Sequence, residues 1–300
     1  MTAEHIHQKT GIQDGQSLHA GLEQTTKKGA AAVPRLAMIN DIAGFGRCST
    51  AVSLPIISVM GVQVCPVPTS VLSNHFGFPV WHFDDYTPHM AEYLGAWKAL
   101  QIHFDGLYCG FLGSPEQFGI VEHFLQDFQP SLFLLDPVMG DHGKAYRTIT
   151  KEHCLRMKNL IQYAHILTPN ITEACLLTDT PYQDGPWQEE ELILLCRKLS
   201  EKCSGKIVIT GLKSSGYFQN FIWENGIYTT YNTKAAGSNR PGTGDIFASV
   251  IAACALQNIA FPAAVKKAAD FVALCIHGSE EAGTPVQEGV LFEKYLRCLF

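Results

Sequence analysis

Short, almost unbroken apolar runs that each end in polar residues recur along this chain, and few folds accept that pattern. Leu132-Phe133-Leu134-Leu135 ends in Asp136-Pro137-Val138-Met139-Gly140-Asp141, Ala164-His165-Ile166-Leu167 leads into Thr168-Pro169-Asn170-Ile171-Thr172-Glu173, and Lys206-Ile207-Val208-Ile209 leads into Thr210-Gly211-Leu212-Lys213. A strand that is apolar throughout is buried on both faces, as in a parallel sheet covered by helices. The stretches between the runs, roughly 150–163 and 189–202, read as the crossover helices such a sheet needs, and right-handed crossovers bring the strand ends to one edge. The chain is therefore α/β, with a mostly parallel central sheet flanked by helices. Open α/β sheets bind their ligands at the carboxyl ends of the strands, so the polar residues there are the first candidates for function.

The remaining segments extend the alternation. Leu36–Ile39 reads as a strand, Asn40-Asp41-Ile42-Ala43-Gly44-Phe45-Gly46 as a glycine loop, and Ser49-Thr50 as the opening of a helix over Ala51–Met60. Val62–Pro66 and Val67–Val71 read as two short strands, followed by a polar and aromatic turn at Ser73-Asn74-His75-Phe76-Gly77-Phe78. Gly106–Gly110 ends a strand, Ser114-Pro115-Glu116 opens a helix to about Phe128, and Tyr217–Tyr231 forms a hairpin around Glu224-Asn225-Gly226. Helices are expected near 262–275 and 286–299. Residues 1–32 differ in composition, with little apolar periodicity and no hydrophobic signal region, so they read as a disordered leader before a single domain over 33–300.

Composition removes several classes of function. An apolar fraction of 46% with 17% charged residues indicates a sizeable core, and a net charge of −6 without a basic tract argues against a nucleic-acid partner. No segment is long and apolar enough to read as a membrane span. The ten cysteines are scattered without a CxxC pair, which suggests reduced thiols in a cytoplasmic protein. GxxxxGK[ST], GxSxG and HExxH motifs are absent, and Gly44-Phe45-Gly46 lacks the spacing of a dinucleotide fingerprint.

The stretch Asn239-Arg240-Pro241-Gly242-Thr243-Gly244-Asp245-Ile246-Phe247-Ala248-Ser249-Val250 is a glycine loop feeding an apolar helix. Backbone N–H groups at such a helix start have no intrahelical partners, and together with the helix dipole they favour an anion such as a polyphosphate. Asp245 adds a negative charge there, which makes sense if a carboxylate must take a proton from a hydroxyl that attacks a phosphate; the alternative is a plain helix cap. Asp136, Asp141 and Glu173 are hard-oxygen candidates for magnesium, and Asn170 can orient a metal-bound water or a phosphate. Each has a structural alternative: Asp136 as a turn former before Pro137, Asn170 as a helix cap, Glu173 as its capping-box partner.

Taken in order, Asn40–Gly46, Ser73-Asn74-His75, Gly110-Phe111-Leu112-Gly113-Ser114, Asp136–Asp141, Thr168-Pro169-Asn170 with Glu173, and Gly242-Thr243-Gly244-Asp245 resemble the motifs of pyridoxal kinases in the ribokinase-like superfamily, in particular their bacterial pyridoxamine kinase branch. The resemblance runs from about Pro34 to Leu299 and implies a three-layer ribokinase-like fold. It implies transfer of the γ-phosphate of ATP to the 5′-hydroxymethyl group of pyridoxal, pyridoxamine or pyridoxine. Asp245 would be the general base, with Gly242, Thr243 and Gly244 as the anion hole. Asp136, Asp141, Thr168, Asn170, Glu173, Thr210 and Thr243 would form the nucleotide and Mg2+ side, with Tyr146 near the phosphates; a monovalent cation such as K+ is also allowed. Asp41, Ser73, Asn74, His75 and Phe76 would meet the substrate ring. Two of these depart from the family pattern, which has serine at Asp41 and threonine at Phe76. Members of such a family are usually homodimers. The related hydroxymethylpyrimidine kinases of thiamine synthesis, sugar kinases of the superfamily and a non-enzymatic nucleotide-binding module are the rival readings.

Overall fold

Alternate residues of the central strands enter two different cores, and this period of two builds the layers. The structure, a computed structural model, describes residues 33–214 and 216–300. The leader expected over 1–32 lies outside the described residues. In chain order the elements are β1 (Arg35–Phe45), α1 (Ser49–Val59), β2 (Gln63–Asn74), β3 (Phe83–Asp85), α2 (Thr87–Ala99), β4 (Gly106–Cys109), α3 (Pro115–Phe128), β5 (Leu132–Leu135), β6 (Gly140–Asp141), β7 (Lys144–Ala145), α4 (Lys151–Leu160), β8 (Ile166–Leu167), α5 (Ile171–Thr178), α6 (Glu189–Ser200), β9 (Lys206–Ser214), β10 (Tyr217–Glu224), β11 (Ile227–Lys234), α7 (Thr243–Leu256) and α8 (Phe261–Glu281).

Nine strands form one sheet in the order β11-β10-β9-β8-β5-β4-β1-β2-β3, and β6 and β7 form a small separate hairpin. Neighbours from β9 across to β2 run parallel, while β3, β10 and β11 pair antiparallel at the two edges. Ala37, Ile39, Leu107, Cys109, Phe133, Leu135, Ile207 and Ile209 face a core closed by α2 to α6. Leu36, Met38, Tyr108, Leu134, Ile166 and Val208 face the other way, onto α1, α7 and α8. The expected α/β architecture, helix layers on both faces of a mostly parallel sheet, is thus realised. Helix α7 is enclosed by α1, α8 and the sheet, with Ile246, Phe247, Val250, Ile251 and Cys254 all buried. Each large apolar side chain buried in this way contributes ~1.5–3 kcal/mol, so the helix that carries the glycine loop is fixed by packing along its whole length. Among the described residues, no helix is long and apolar enough to cross a membrane.

Several elements differ from the sequence expectation. Asn40–Phe45 is not a loop: β1 continues through it beside β2, with a register shift between Asn40 and Ile42 that absorbs one residue. Gly44 permits this, because a Cβ there would lie 3.0 Å from the Ser73 carbonyl. The two strands expected over Val62–Val71 are one, β2, which also takes in Ser73 and Asn74. Thr210 lies inside β9 rather than beyond it. Strand β3 and helix α2 come from a stretch with little apolar periodicity; α2 buries only Met90 and Leu94. The helix expected over 286–299 is instead two 3₁₀ turns, Val286–Glu288 and Glu293–Leu299. Gly289 at φ 81° breaks the path between them; the carbonyls of Thr284 and Gly289 accept from Arg240, and that of Pro285 accepts from Arg240 as well as from the Glu288 N–H of the first turn.

Candidate functional site

The parallel ladders of β1, β4, β5 and β8 end side by side at the pairs Ile39↔Cys109, Cys109↔Leu135 and Leu135↔Leu167. The next residues along these strands, Asn40, Gly110, Asp136 and Thr168, therefore line one sheet edge, about 14 Å long at a strand spacing of about 4.8 Å. Thr210 on β9 joins it through a bridge to Asn170.

Helix α7 points its N-terminus at this edge. Gly242 caps it with φ 81°, and any side chain there would collide with the Arg47 carbonyl, so the loop passes where only glycine fits. The first intrahelical donor is Ile246, whose N–H reaches the Gly242 carbonyl at 3.0 Å. The amides of Thr243, Gly244 and Asp245 precede it and are the helix donors free for an anion. A Cβ on Gly244 would come within 4.0 Å of Asp136 Oδ2, which sets that carboxylate against the anion-binding loop.

Asp245 is held from two sides. Its Oδ2 accepts the Ser49 N–H at 2.8 Å and its Oδ1 lies 3.5 Å from Asn40 Nδ2. Ser49 adopts φ 55°, an uncommon left-handed backbone for a non-glycine residue, and this conformation turns its amide onto the carboxylate. Burial raises the Asp245 carboxyl above its ordinary range, and the two donors pull it part of the way back. Asn40 is buried and its Oδ1 accepts the amides of Asp41 at 3.0 Å and Phe111 at 2.9 Å. Gly110 has to be glycine beside it, since a Cβ would stand 2.7 Å from the Asn40 amide group.

The carboxylates gather here. Burial, with the charge of Asp245, pushes both Asp41 and Asp136 up to about 7, opposed by the hydroxyls of Ser49 and Thr168 respectively. Thr168 Oγ1 donates to Asp136 Oδ1 at 2.8 Å. Burial and then Asp136 hold Glu173 well above its ordinary value, against the amides that donate to it. Those donors are Met139 N–H at 3.1 Å and Asn170 N–H at 2.8 Å. Asn170 in turn accepts the Glu173 N–H at 3.0 Å and donates to the Gly140 carbonyl at 2.8 Å. The capping box weighed for Asn170 and Glu173 is therefore present, and it holds the Glu173 carboxylate toward Asp136 while leaving lone pairs free. Asp141 sits at the rim, with Oδ2 3.4 Å from Asn239 Nδ2. Tyr146 is 43% exposed, yet its hydroxyl is raised by burial and then by Glu173, Asp141, Asp136 and Asp245, so it looks onto the same group of charges.

Mutually repelling buried carboxylates next to an anion site fit a hard divalent cation. Among the described residues, no three His, Cys, Asp or Glu side chains stand close enough to hold a metal unaided. The donors suit an ion shared with phosphate oxygens and water.

The turn after β2 forms an aromatic flap. The Phe76 ring meets Trp81 at 5.0 Å, Phe83 at 5.8 Å and Phe111 at 6.3 Å between centroids. Phe111 follows Gly110, so this cluster adjoins Asn40 and Asp41. The polar atoms of Ser73, Asn74 and His75 are engaged within the turn and its surroundings: Ser73 Oγ with Asn74 Oδ1 and the His82 amide, Asn74 Nδ2 with the Val80 carbonyl, and His75 with Gly77 N–H and the Gln287 carbonyl. A further cleft of about 510 Å³ opens along β11 and α8, lined by Lys234, Ala235, Ala236, Asp270, Ala273 and His277. Asn40, Ser49, Phe111 and Arg240 lie in stretches the sequence marked but carry no site role there; the part played by the first two emerges only through Asp245, which they hold.

The sequence profile of the phosphomethylpyrimidine kinase family matches residues 91–289. A pyridoxine/pyridoxal/pyridoxamine kinase of Bordetella pertussis is 30% identical over 146 residues, 46% of this chain and 51% of that protein. The chain thus spans about half the length of these curated relatives. Among solved structures, a candidate phosphomethylpyrimidine kinase of Bacteroides thetaiotaomicron, crystallised with pyridoxal, superposes with a TM-score of 0.83 at 37% identity, covering 89% of this chain and 96% of that one. Pyridoxal kinase of Lactobacillus plantarum superposes with a TM-score of 0.83 at 26% identity, over 90% and 97% of the two chains.

Proposed function

The chain belongs to the phosphomethylpyrimidine kinase family, with a ribokinase-like fold and pyridoxal kinases among its relatives, and on that premise we propose that it transfers the γ-phosphate of ATP to the 5′-hydroxymethyl group of a B6 vitamer. The observation that carries this reading is Asp245: a carboxylate held by Ser49 N–H and Asn40 at an anion-binding helix start, where Asn40 also accepts the amide of Phe111, a member of the aromatic cluster. A carboxylate so placed accepts the proton of the acceptor hydroxyl as its oxygen bonds to the γ-phosphorus and the bond to the bridging oxygen of ADP breaks. The amides of Gly242, Thr243, Gly244 and Asp245 meet the charge on the transferring group. Asp136, Asp141 and Glu173 would hold Mg2+, with Asn170 orienting one of its waters, and the ion would neutralise phosphate charge when bound. Thr168, Thr210 and Tyr146 border the nucleotide side.

The acceptor ring lies between Asp41 and the flap. Asp41 offers a charge-assisted hydrogen bond to a pyridine nitrogen, amine or ring hydroxyl, and Phe76 with Phe111 covers an apolar face. Ser73, Asn74 and His75 shape the flap that presents Phe76.

Two measurements test this. Asp245→Asn should leave ATP binding nearly intact and lower turnover by about 10²–10⁴-fold, the range expected for loss of proton transfer. Steady-state rates with ATP against pyridoxal, pyridoxamine, pyridoxine and hydroxymethylpyrimidine should rank a vitamer first. Near-normal turnover by D245N, or a higher kcat/KM for hydroxymethylpyrimidine than for every vitamer, would overturn the base assignment or the acceptor assignment respectively.

A further inference from the structure

The segment Thr284–Gly289 touches three separate parts of the site at once. Arg240, at the entry to the glycine loop, is buried with only 2% of its side chain exposed. Its Nη1 lies 3.0 Å from the Thr284 carbonyl, 3.2 Å from that of Pro285, 3.2 Å from that of Gly289 and 3.3 Å from Thr284 Oγ1. Two N–H bonds on one nitrogen serve four oxygens, so the guanidinium gathers the segment around itself. Its Nη2 reaches Glu280 Oε1 at 3.2 Å, and the same oxygen accepts the Ser238 N–H at 3.0 Å. The Arg240 carbonyl accepts Thr243 Oγ1 at 3.1 Å, which passes the restraint into the first turn of α7.

The second contact is with the loop before α1. Arg47 N–H donates to the Glu288 carbonyl at 3.0 Å, and the Arg47 carbonyl is the atom against which Gly242 is packed. Two residues on, Ser49 N–H holds Asp245. The third contact is with the flap. His75 Nδ1 accepts the Gly77 N–H at 3.1 Å, so Nε2 carries the ring proton and donates it to the Gln287 carbonyl at 2.7 Å. The flap that covers the acceptor, the loop that holds the base and the anion hole are all anchored on one stretch of six residues, Thr284–Gly289.

We propose that Thr284–Gly289 is a joint that aligns the acceptor flap with the anion hole, with Arg240 as the positioning residue on the phosphate side and His75 as the latch on the acceptor side. The proposal rests on the kinase reading of this site. None of these groups needs to touch substrate: the joint fixes the distance between the acceptor hydroxyl, held under the flap, and the phosphate, held at α7. A misplacement of about 1 Å by a change away from the chemistry can cost about 100-fold in rate.

The test compares Arg240→Lys, His75→Phe, the double variant and Glu280→Ala, the last changing a surface carboxylate that also holds the loop. kcat, KM for ATP, KM for pyridoxal and melting temperature are measured, with D245N as a control. Each of R240K and H75F is expected to lower kcat about tenfold while KM for ATP stays within about twofold, and E280A about threefold. Because R240K and H75F loosen the same joint, the double variant should lose no more than the worse single, rather than the product of the two. Losses that multiply, or wild-type kcat in folded R240K and E280A, would overturn the joint. If R240K does not fold, E280A with H75F makes the same comparison. A wild type that does not transfer phosphate from ATP to pyridoxal would instead sink the kinase reading of the site, and an active D245N its base assignment; an active wild type and an inactive D245N beside fully active R240K, H75F and E280A would remove the joint alone.

Discussion

Replacing Asn40 with aspartate alters one group and leaves another in place. Asn40 Oδ1 accepts two buried amides, and N40D keeps that acceptor. The donor Nδ2, 3.5 Å from Asp245 Oδ1, becomes a carboxylate oxygen, and two unit charges at that separation repel by about 5 kcal/mol at an effective dielectric of about 20. One pKa unit is about 1.4 kcal/mol, so the pair retains a shared proton up to about three units higher than Asp245 alone. Asp245 already stands above its ordinary value because of burial, and the change moves it in the same direction. A general base must be unprotonated, so the acid limb of kcat/KM against pH should move up by about one to three units, and the rate at a fixed pH on that limb should fall about 10–10³-fold. N40A does the reverse. It strips the acceptor from the amides of Asp41 and Phe111, which costs about 1–3 kcal/mol each, while losing only a long contact to Asp245. N40D should therefore show a displaced acid limb and a melting temperature that falls further below the wild type's as pH rises above about 4, and N40A should melt several degrees lower with its limb shifted by less than about one unit. A pH profile of kcat/KM on both proteins, beside their thermal melts, decides it. Wild-type pH dependence in N40D would show that Asn40 does not face the reacting carboxylate in the working enzyme.

Three further outcomes are expected. Asp41 is raised to about 7 in the folded protein, so between its unfolded value near 4 and about 7 the native state keeps a proton that the unfolded chain has released, and stability is lost as pH rises through that window; the melting temperature of ligand-free D41N should exceed the wild type's increasingly from about pH 4 to about pH 7 and by a constant margin above it, and a constant difference across the window would refute the assignment. E173Q, which removes the charge and keeps an acceptor for only one of the two amides that Glu173 holds, should need more magnesium for half-maximal rate, and an unchanged magnesium titration with the fold intact would take Glu173 out of the ion's surroundings. G242A meets both a left-handed backbone and the Arg47 carbonyl, so it should lose about 1–3 kcal/mol of stability and most of its turnover, measured by denaturant melts and steady-state rates.

Most of what the strands contribute was legible in the sequence, because a buried parallel strand leaves an unmistakable apolar run and its polar terminus stands out against it. Asp136, Thr168 and Asn170 were found in that way, and the glycine loop before Asp245 by its punctuation. The neighbours that hold those groups were not. Asn40 sits among glycine and polar residues that read as a loop, and only the partner strand β2 keeps that stretch extended. Arg240 carries no periodic signal, since a single arginine becomes buried through carbonyls that arrive from more than forty residues further on. Helix α2 hid because two buried positions make too narrow a stripe. The last segment misled in the opposite direction: the apolar spacing of 286–299 suits a helix, but Gly289 and the pull of Arg240 on nearby carbonyls override it.

The contact between Gly110 and Asn40 has a consequence for how this sequence can change over time. The two positions lie seventy residues apart, yet the amide of one occupies the volume where the other would carry a Cβ. They are one heritable unit. A descendant that acquires alanine at 110 first has to shorten or turn the residue at 40, and a descendant that loses the amide at 40 leaves a hole that a larger residue at 110 can fill. Divergence at this corner of the sheet should therefore proceed by paired replacements, with the intermediate single changes selected against even though neither residue is charged and neither is the base.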